Sequence, residues 1–361
     1  MTDRRMLWVS LPDQRPRREL FWMSRMPGTR VTALAAQEPV GDLTWVPSSY
    51  VRPVKRFIEA GAFAWVRGLG EQDPGDYDWV ASLELCSLVT GQASRFRRRS
   101  GGRVRQAVIT WENLPDQPLY KVPPYRQALN SCRDADLLLC MVDAARDHLL
   151  ANGFDDSRIQ VVKPGVPTDI FHPAPRPSEE PVVAFVSPLA PNKGIDRVLE
   201  AMRIVQRTVP EASLVVAGSG PLRHLVDEAA ADPARRVRHA GALDAHGVAD
   251  LLRGSAVFVT APRPTWKWTE QLGLAYLEAQ ACGLPVVTVR CGTNDEAVAA
   301  PPNDLLDDDA EAIADRLVHW LTDRADRARV GALNRERMLA EHDLDTQVRR
   351  MGEAFARVER A

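Results

Sequence analysis

Pro181-Val-Val-Ala-Phe-Val-Ser187 is a short apolar run, rich in β-branched residues, in which polar and apolar residues do not alternate. Such a run is typical of a strand that is buried on both faces of a parallel sheet. The turn Pro191-Asn-Lys-Gly194 follows, and the next apolar residues recur at the spacing of one helix face: Ile195, Val198, Leu199, Met202 and Val205. The segment therefore predicts a strand–turn–helix unit of an α/β sheet.

The same alternation of strand and helix continues toward the C-terminus. The predicted helices lie near 221–231 and 245–253 and around Glu278, and the predicted strands are Ser213–Ala217, 236–240, Ala256–Thr260 and Pro285–Val289. Short connections between alternating strands and helices predict a doubly wound parallel sheet. Such sheets bind ligands beyond the carboxyl ends of their strands, so the loops after these strands are candidates for a site.

The first half of the chain shows this pattern more faintly. Asp143–Asn152 is predicted as a helix, and the predicted strands are Leu7–Ser10, Val31–Leu34, Trp79–Ser82, Ala107–Thr110, Leu137–Cys140 and Ile159–Val162. Residues 163–177 hold five prolines, which lack the backbone donor that a sheet needs and so predict a linker. Two domains of comparable size are expected, residues 1–170 and 171–361, and residues 308–358 are predicted to be helical.

Composition and charge exclude several classes of protein. The 46 Lys and Arg residues nearly balance the 48 Asp and Glu residues, so net charge does not favour a nucleic-acid partner. Five scattered cysteines, and no apolar run of about 18 residues, predict a reduced cytoplasmic protein without a spanning helix. The run Arg95–Arg105 holds six arginines, which suit either a solvated loop or peripheral contact with anionic lipid at the inner face of the membrane.

Glu270 and Glu278 are separated by eight positions on a segment predicted to be helical. On a helix that spacing covers about 12 Å and about 80°, whereas paired hydrolytic carboxylates lie ~5–9.5 Å apart. The two carboxylates are therefore expected to contact different parts of one extended ligand, such as a nucleotide sugar. Gly273 and Leu274 fall in the first helical turn, where free amides favour a phosphate. The alternative is that Glu270 only complements the helix dipole and Glu278 is solvated.

Several motifs follow one another in a fixed order, among them Phe185-Val-Ser-Pro-Leu-Ala-Pro-Asn-Lys-Gly194 and the ExxxxxxxE pattern of Glu270–Glu278. The others are Val161–Pro173, Leu214–Arg223 and Ala279–Val287. In this order they resemble glycosyltransferase family 4 over roughly residues 105–300, and more loosely to about 345. The resemblance implies a GT-B fold, in which two Rossmann-like doubly wound domains face each other across a cleft. It also implies that the last helix packs back on the first domain.

The activity implied by the resemblance is retaining transfer of a hexose from a nucleotide-diphosphate sugar to a hydroxyl or similar acceptor. A UDP-sugar is the first expectation for the donor and a GDP-sugar the second. The resemblance implies attack on the front side, with the leaving diphosphate as base, so no enzymic nucleophile is expected. No DxD-type motif occurs in the context of a metal site, so no metal is expected, and no cofactor is expected besides the nucleotide sugar as co-substrate. The acceptor, whether a small molecule, a glycan or a lipid-linked compound, is not identified.

The resemblance also assigns side-chain roles in donor binding. Lys193 matches the lysine that neutralises the donor diphosphate, and Glu270 matches the carboxylate that holds the hydroxyls of the transferred sugar. Glu278 matches the ligand of the ribose. The alternative for Lys193 is an exposed lysine of a turn.

Backbone groups complete the implied donor site. Gly273 and Leu274 correspond to the amides at the sugar and phosphate. Ala242 and Leu243 lie in the loop whose backbone meets the base in the family.

One departure from the family concerns the diphosphate. The arginine that assists the lysine elsewhere in the family is Pro188 here, and proline has no side-chain donor. Arg263, Lys267 or Arg290 is expected to replace it, unless donor binding is weakened.

The second departure concerns the acceptor side. A histidine usually follows the strand that corresponds to Ala107–Thr110, and this chain has Trp111-Glu112-Asn113 there. Glu112 is expected to take the place of the imidazole, or else to be a capping or buried structural carboxylate. Trp111, Asn113 and Trp268 are expected near the acceptor or sugar. Six tryptophans in the first half could line a cleft or fill a core.

Two other functions stay open at this stage. Pro188 and Glu112 would suit a family member that binds a donor but is inactive and acts as a partner or regulator. A phosphorylase-like or synthase variant with a small anionic acceptor is the other enzymatic alternative.

Overall fold

A computed structural model describes residues 3–11, 16–51, 64–114, 118–176, 178–266 and 268–360. The chain divides into two units by its internal contacts. One unit comprises Met1–Lys163 with Asp345–Ala361, and the other comprises Pro164–Leu344. The observed division thus comes slightly before the predicted one at residue 170, and the last residues of the chain belong to the first unit.

The first unit contains a seven-stranded parallel sheet with the strand order β3-β2-β1-β6-β7-β8-β9. A short antiparallel pair, β4 with β5, lies outside it. The strands are β1 Arg4–Val9, β2 Thr29–Ala35, β3 Thr44–Pro47, β4 Tyr50–Val51, β5 Trp65–Val66, β6 Trp79–Leu83, β7 Arg105–Thr110, β8 Leu137–Cys140 and β9 Ile159–Val161. The helices are α1 Pro16–Ser24, α2 Leu88–Arg99, α3 Pro123–Ser131 and α4 Asp143–Ala151.

The second unit contains a six-stranded parallel sheet with the order β12-β11-β10-β13-β14-β15. Its strands are β10 Val182–Val186, β11 Ser213–Ala217, β12 Val237–Gly241, β13 Val257–Val259, β14 Val286–Val289 and β15 Asp304–Leu306. Its helices are α5 Ile195–Thr208, α6 Arg223–Ala231, α7 Ala245–Arg253, α8 Leu274–Ala281, α9 Asn294–Ala297, α10 Ala310–Thr322 and α11 Arg324–Glu341. The predicted architecture of two doubly wound parallel sheets is confirmed.

The core of the second unit explains its strand order. β10, β11 and β13 place Val183, Phe185, Leu214 and Val257 in a common apolar cluster with the inner face of α5. Burial of each large apolar side chain stabilises the fold by about 1.5–3 kcal/mol. Because this cluster lies under the centre of the sheet, the carboxyl ends of β10, β13 and β14 are held side by side.

The proline-rich segment is packed rather than a free linker. Val166 donates its backbone N–H to His342 and accepts from Leu344, at 2.7 and 3.0 Å. Arg335 donates to the carbonyls of Thr168 and Phe171, at 3.1 and 2.7 Å. The segment begins at the division between the two units, as expected of a linker, and it is held in place because the half-buried Arg335 satisfies two of its carbonyls.

The last helix, α12 (Leu344–Arg360), supplies side chains to the first unit. Phe355 lies edge-on to Trp79, with ring centroids 4.8 Å apart. Glu359 accepts from Arg4 at 2.6 Å and from the Trp79 indole at 2.8 Å. Burial opposes the charged form of Glu359, but these hydrogen bonds prevail and lower its pKa.

The arginine run spans the end of a helix, an exposed loop and the start of β7, rather than one solvated loop. Arg95–Arg99 form the last turns of α2. Arg97 pairs with Asp136 at 2.8 Å, and Arg95 lies over the Trp65 ring at 4.9 Å. Several of these cations are therefore already engaged within the unit.

Candidate active site

The turn after β10 places Lys193 at the carboxyl edge of the second sheet. Residues Pro191–Lys193 form one 3₁₀ turn, and Gly194 ends it with a φ of 72°. A side chain at position 194 would overlap the carbonyl oxygen of Ala261, which follows β13. Glycine is thus required both for the left-handed backbone and for the close approach of two loops.

Lys193 and Glu270 form an ion pair. The Lys193 Nζ and a Glu270 carboxylate oxygen lie 2.7 Å apart, and the side chains retain 19% and 11% of their exposure. The two residues are 77 positions apart in the sequence. The structure therefore brings together the two side chains that the resemblance assigns to the diphosphate and the sugar.

Glu270 does not lie on the helix that carries Glu278. Helix α8 begins at Leu274, and Gly273 precedes it with φ 78° and ψ 85°. The argument from helical spacing between the two glutamates was therefore wrong in its geometry, because the segment before Gly273 is irregular. The half-buried Glu278 does lie on α8, as predicted, one turn after Leu274.

The start of α8 is fixed by a buried hydroxyl network. Tyr276 is buried, and its hydroxyl lies 2.9 Å from that of Thr260 and 3.0 Å from that of Thr288. Thr260 follows β13 and Thr288 lies on β14, so two strands hold the helix. The amides of Gly273 and Leu274, which have no partner within the helix, are thereby kept at the sheet edge next to Glu270.

The loop after β14 holds Glu270 in place. Thr293 donates its backbone N–H to the Glu270 carbonyl at 3.0 Å, and its hydroxyl donates to the Gln271 carbonyl. Gly292 has a φ of 61°, and any side chain there would overlap the backbone of Glu270. Sequence reasoning assigned no role to Gly292.

The predicted base loop follows β12. Gly241 ends that strand with φ 73° and accepts from the Gly218 N–H at 2.7 Å, which ties the loops after β11 and β12 together. Ala242 and Leu243 are exposed. These two residues are thus accessible at the carboxyl edge of the second sheet, the edge at which Lys193 lies.

Of the three proposed substitutes for the arginine lost at Pro188, Arg263 is already engaged. Its guanidinium pairs with Asp196 at 2.8 Å and with Asp308 at 2.9 Å. Arg290, directly after β14, is exposed. Lys267 lies outside the described residues.

Trp268 contacts Lys193 directly. The Lys193 Nζ lies 4.3 Å from the centroid of the Trp268 ring, within the range of a cation–π interaction. Trp268, Lys193 and Glu270 therefore form one cluster in the second unit.

The acceptor residues expected in the first unit follow β7. Glu112 is half-buried, donates its backbone N–H to the Thr110 hydroxyl at 3.1 Å, and accepts from the Leu114 N–H at 2.9 Å. Trp111 is buried and donates to the Glu19 carboxylate at 2.8 Å, and Asn113 is also buried. These hydrogen bonds of Glu112 stabilise the turn that contains it. Glu112 is the most exposed of the three residues.

Neutral hydrogen-bonding groups surround Glu112. Burial, and then the charge of Glu112, raises the pKa of the Tyr120 hydroxyl and of the Cys86 thiol. Both groups are therefore protonated at neutral pH.

Four of the six tryptophans of this half are buried, which favours a core role for Trp8, Trp22, Trp79 and Trp111.

Within the described residues, no group of three or more His, Cys, Asp or Glu side chains could hold a metal ion. No described helix is long and apolar enough to cross a membrane. Independence from a metal stays a prediction.

A sequence profile of the family described as "Glycosyl transferases group 1" matches residues 168–337. Residues 168–337 are a group 1 glycosyl transferase domain. This range contains the cluster of Lys193, Trp268 and Glu270, and all of α8. The family prediction made from the motifs is confirmed.

The names of curated relatives of this chain describe transferases that act on inositol compounds. It is 32% identical over 164 residues to the GDP-mannose-dependent monoacylated alpha-(1-6)-phosphatidylinositol monomannoside mannosyltransferase of Corynebacterium glutamicum, covering 45% of this chain and 43% of the relative. It is 29% identical over 252 residues to the GDP-mannose-dependent alpha-(1-6)-phosphatidylinositol monomannoside mannosyltransferase of Mycobacterium tuberculosis, covering 62% and 63%. It is 32% identical over 251 residues to D-inositol 3-phosphate glycosyltransferase of Mycobacterium bovis, covering 63% and 50%. The chain thus spans 43% to 63% of the length of these relatives.

Solved structures share the fold of this chain. Anabaena HepE in complex with UDP and glucose matches with a TM-score of 0.72 and 15% identity, over 97% of this chain and 99% of that one. Sucrose-phosphate synthase from Thermosynechococcus elongatus matches with a TM-score of 0.71 and 16% identity, over 98% and 99%. At such low identity the likeness establishes the fold alone.

Proposed function

We propose that this protein is a retaining glycosyltransferase that moves a hexose from a nucleotide-diphosphate sugar to an acceptor hydroxyl. The observation that carries the proposal is the Lys193–Glu270 pair, 2.7 Å apart beside the N-terminus of α8. A cation and free helical amides suit a diphosphate, and a carboxylate suits sugar hydroxyls.

In this mechanism the protein positions the reactants and stabilises charge on the leaving group. Lys193 and the Gly273 and Leu274 amides meet the negative charge that develops on the diphosphate. Glu270 orients the sugar, and Glu278 holds the ribose. The leaving phosphate takes the acceptor proton, so the enzyme supplies no nucleophile and the anomeric configuration is retained.

The donor proposed first is GDP-mannose, because two of the relatives are named as dependent on it. The resemblance alone led to a UDP-sugar as the first expectation and a GDP-sugar as the second, and that order is reversed here. The acceptor proposed is a hydroxyl of an inositol-containing or mannosylated glycolipid. Action on such a lipid would require peripheral contact at a membrane surface.

Binding of GDP-mannose is expected to raise the melting temperature by roughly 5–10 °C at 100 times Kd, because the ligand stabilises only the folded chain. Differential scanning fluorimetry with GDP-mannose, UDP-glucose and free mannose measures the shift. Free mannose is the control, since it lacks the diphosphate. If neither nucleotide sugar shifted the transition, donor binding would be excluded.

Glu112→Gln is expected to lower transfer to the acceptor by about 10–100-fold while donor binding stays unchanged, because a neutral amide oxygen accepts a weaker hydrogen bond from a substrate hydroxyl than a charged carboxylate does. The amide oxygen can still accept from the Leu114 N–H, so the turn is expected to survive. Initial rates over an acceptor series measure the effect. Glu71→Gln, at an exposed position of the same unit, is the control. Equal rates for both variants would assign Glu112 to structure.

A donor-binding but inactive protein is the second candidate. Pro188 provides no donor, and the ion pairs of Arg263 occupy the guanidinium that could replace it. Slow hydrolysis of GDP-mannose without acceptor, above the uncatalysed background, would favour the enzyme. Tight donor binding without any hydrolysis or transfer would favour the binding protein.

A further inference from the structure

The Lys193 ammonium contacts a carboxylate and an aromatic ring. Glu270 lies 2.7 Å from it, and the Trp268 ring centroid lies 4.3 Å from it. These two contacts differ in kind. A diphosphate competes with the Glu270 carboxylate for the same N–H donors, whereas the ring carries no net charge and attracts the cation with its π face.

The backbone around Trp268 is held by hydrogen bonds that do not involve the Lys193 side chain. The Thr265 N–H donates to the Trp268 carbonyl at 2.7 Å, and these two residues close a tight antiparallel turn. Upstream of this turn, Arg263 donates its backbone N–H to the Asn192 carbonyl at 3.0 Å. The segment that carries Trp268 is thus bonded to the turn that carries Lys193, and the half-buried ring is held over the ammonium.

The charges near Lys193 explain why the contact of its ammonium with the Trp268 ring matters for donor binding. Pro188 supplies no cation, and the Arg263 guanidinium is shared by Asp196 and Asp308. Lys193 has a long flexible side chain, and ordering such a side chain costs conformational entropy. Because Lys193 is proposed to bind the donor diphosphate, a partner that orders its ammonium without neutralising it strengthens that binding.

We propose that Trp268 is a positioning residue that holds Lys193 in place for the donor diphosphate. The role rests on the proposed function, and it replaces the expectation that Trp268 borders the sugar. The face that covers the ammonium is not available to stack on a sugar ring. When the sugar hydroxyls engage Glu270, the Trp268 ring retains Lys193 at the phosphate.

The test compares affinity for GDP and GMP, because the second phosphate is the group that Lys193 is proposed to bind. In Trp268→Leu, GDP is expected to bind about 3–30-fold more weakly while GMP affinity changes by less than about twofold. Trp268→Phe retains a π face and is expected to restore part of the loss. Trp266→Leu, at an exposed position of the same turn, is the matched control with unchanged affinities. Titration calorimetry measures all four proteins.

A double-mutant cycle separates positioning from general disturbance of the fold. In a Lys193→Ala background, Trp268→Leu is expected to have no further effect on the ratio of GDP to GMP affinity. An equal loss for GDP and GMP, or an undiminished effect without Lys193, would overturn the role of Trp268. If the unmodified protein bound neither GDP nor UDP, the proposed function itself would fail. That result is distinct from a failure of the role of Trp268, because it does not depend on any variant.

Discussion

Lys193→Ala is expected to lower transfer by about 10²–10³-fold, the loss typical when one preorganised donor to a developing negative charge is removed. The loss should fall on kcat as well as on donor KM, because the diphosphate gains charge in the transition state. Arg263 is held by two carboxylates and position 188 is proline, so neither position is expected to compensate for the lost ammonium. Steady-state kinetics with the preferred nucleotide sugar measures the effect.

The control for this substitution is Arg203→Ala, which removes one positive charge from an exposed position of α5. It is expected to leave kcat and KM unchanged. Comparable losses in both variants would mean that the net charge of the unit matters, and not the contact of Lys193 with the donor.

Gly194→Ala is expected to destabilise the second unit by more than about 3 kcal/mol, because left-handed strain adds to a backbone overlap. The alanine Cβ would collide with the Ala261 carbonyl, so the turn of Lys193 and the segment after β13 could not both keep their places. Urea unfolding followed by circular dichroism measures the free energy of unfolding.

Gly241→Ala provides a matched comparison for the strain alone. Its φ of 73° nearly equals the 72° of Gly194, but a Cβ there meets no atom within 4 Å. We expect a loss of only about 1–2 kcal/mol for this variant. If the two substitutions cost the same, close approach between the loops would not contribute to stability.

The strands of the second unit could be predicted closely because they are buried, apolar and β-branched. Ser213–Ala217 and the helix Ala245–Arg253 match the sequence prediction at both ends. The edge strands Thr44–Pro47 and Asp304–Leu306 were not predicted, since they are short and only partly apolar. An edge strand is buried less, so its sequence carries a weaker signal.

The candidate site could be predicted as a set of residues but not as a geometry. Motif order identified Lys193, Glu270 and Glu278, yet the irregular segment before Gly273 made the helical spacing between the glutamates irrelevant. The ion pairs of Arg263 and the ring contact of Trp268 join residues far apart in sequence. Periodicity reports on local structure, and these contacts arise only from tertiary packing.

The Lys193–Glu270 ion pair also bears on product release. In the proposed mechanism, the hydroxyls of the bound sugar contact Glu270 and the diphosphate contacts Lys193. After the proposed transfer the sugar leaves with the acceptor, and Glu270 is then able to compete with the spent diphosphate for the Lys193 ammonium, with which it forms an ion pair of 2.7 Å. We expect the carboxylate to speed the departure of the nucleoside diphosphate, so turnover should be less inhibited by product than in Glu270→Gln.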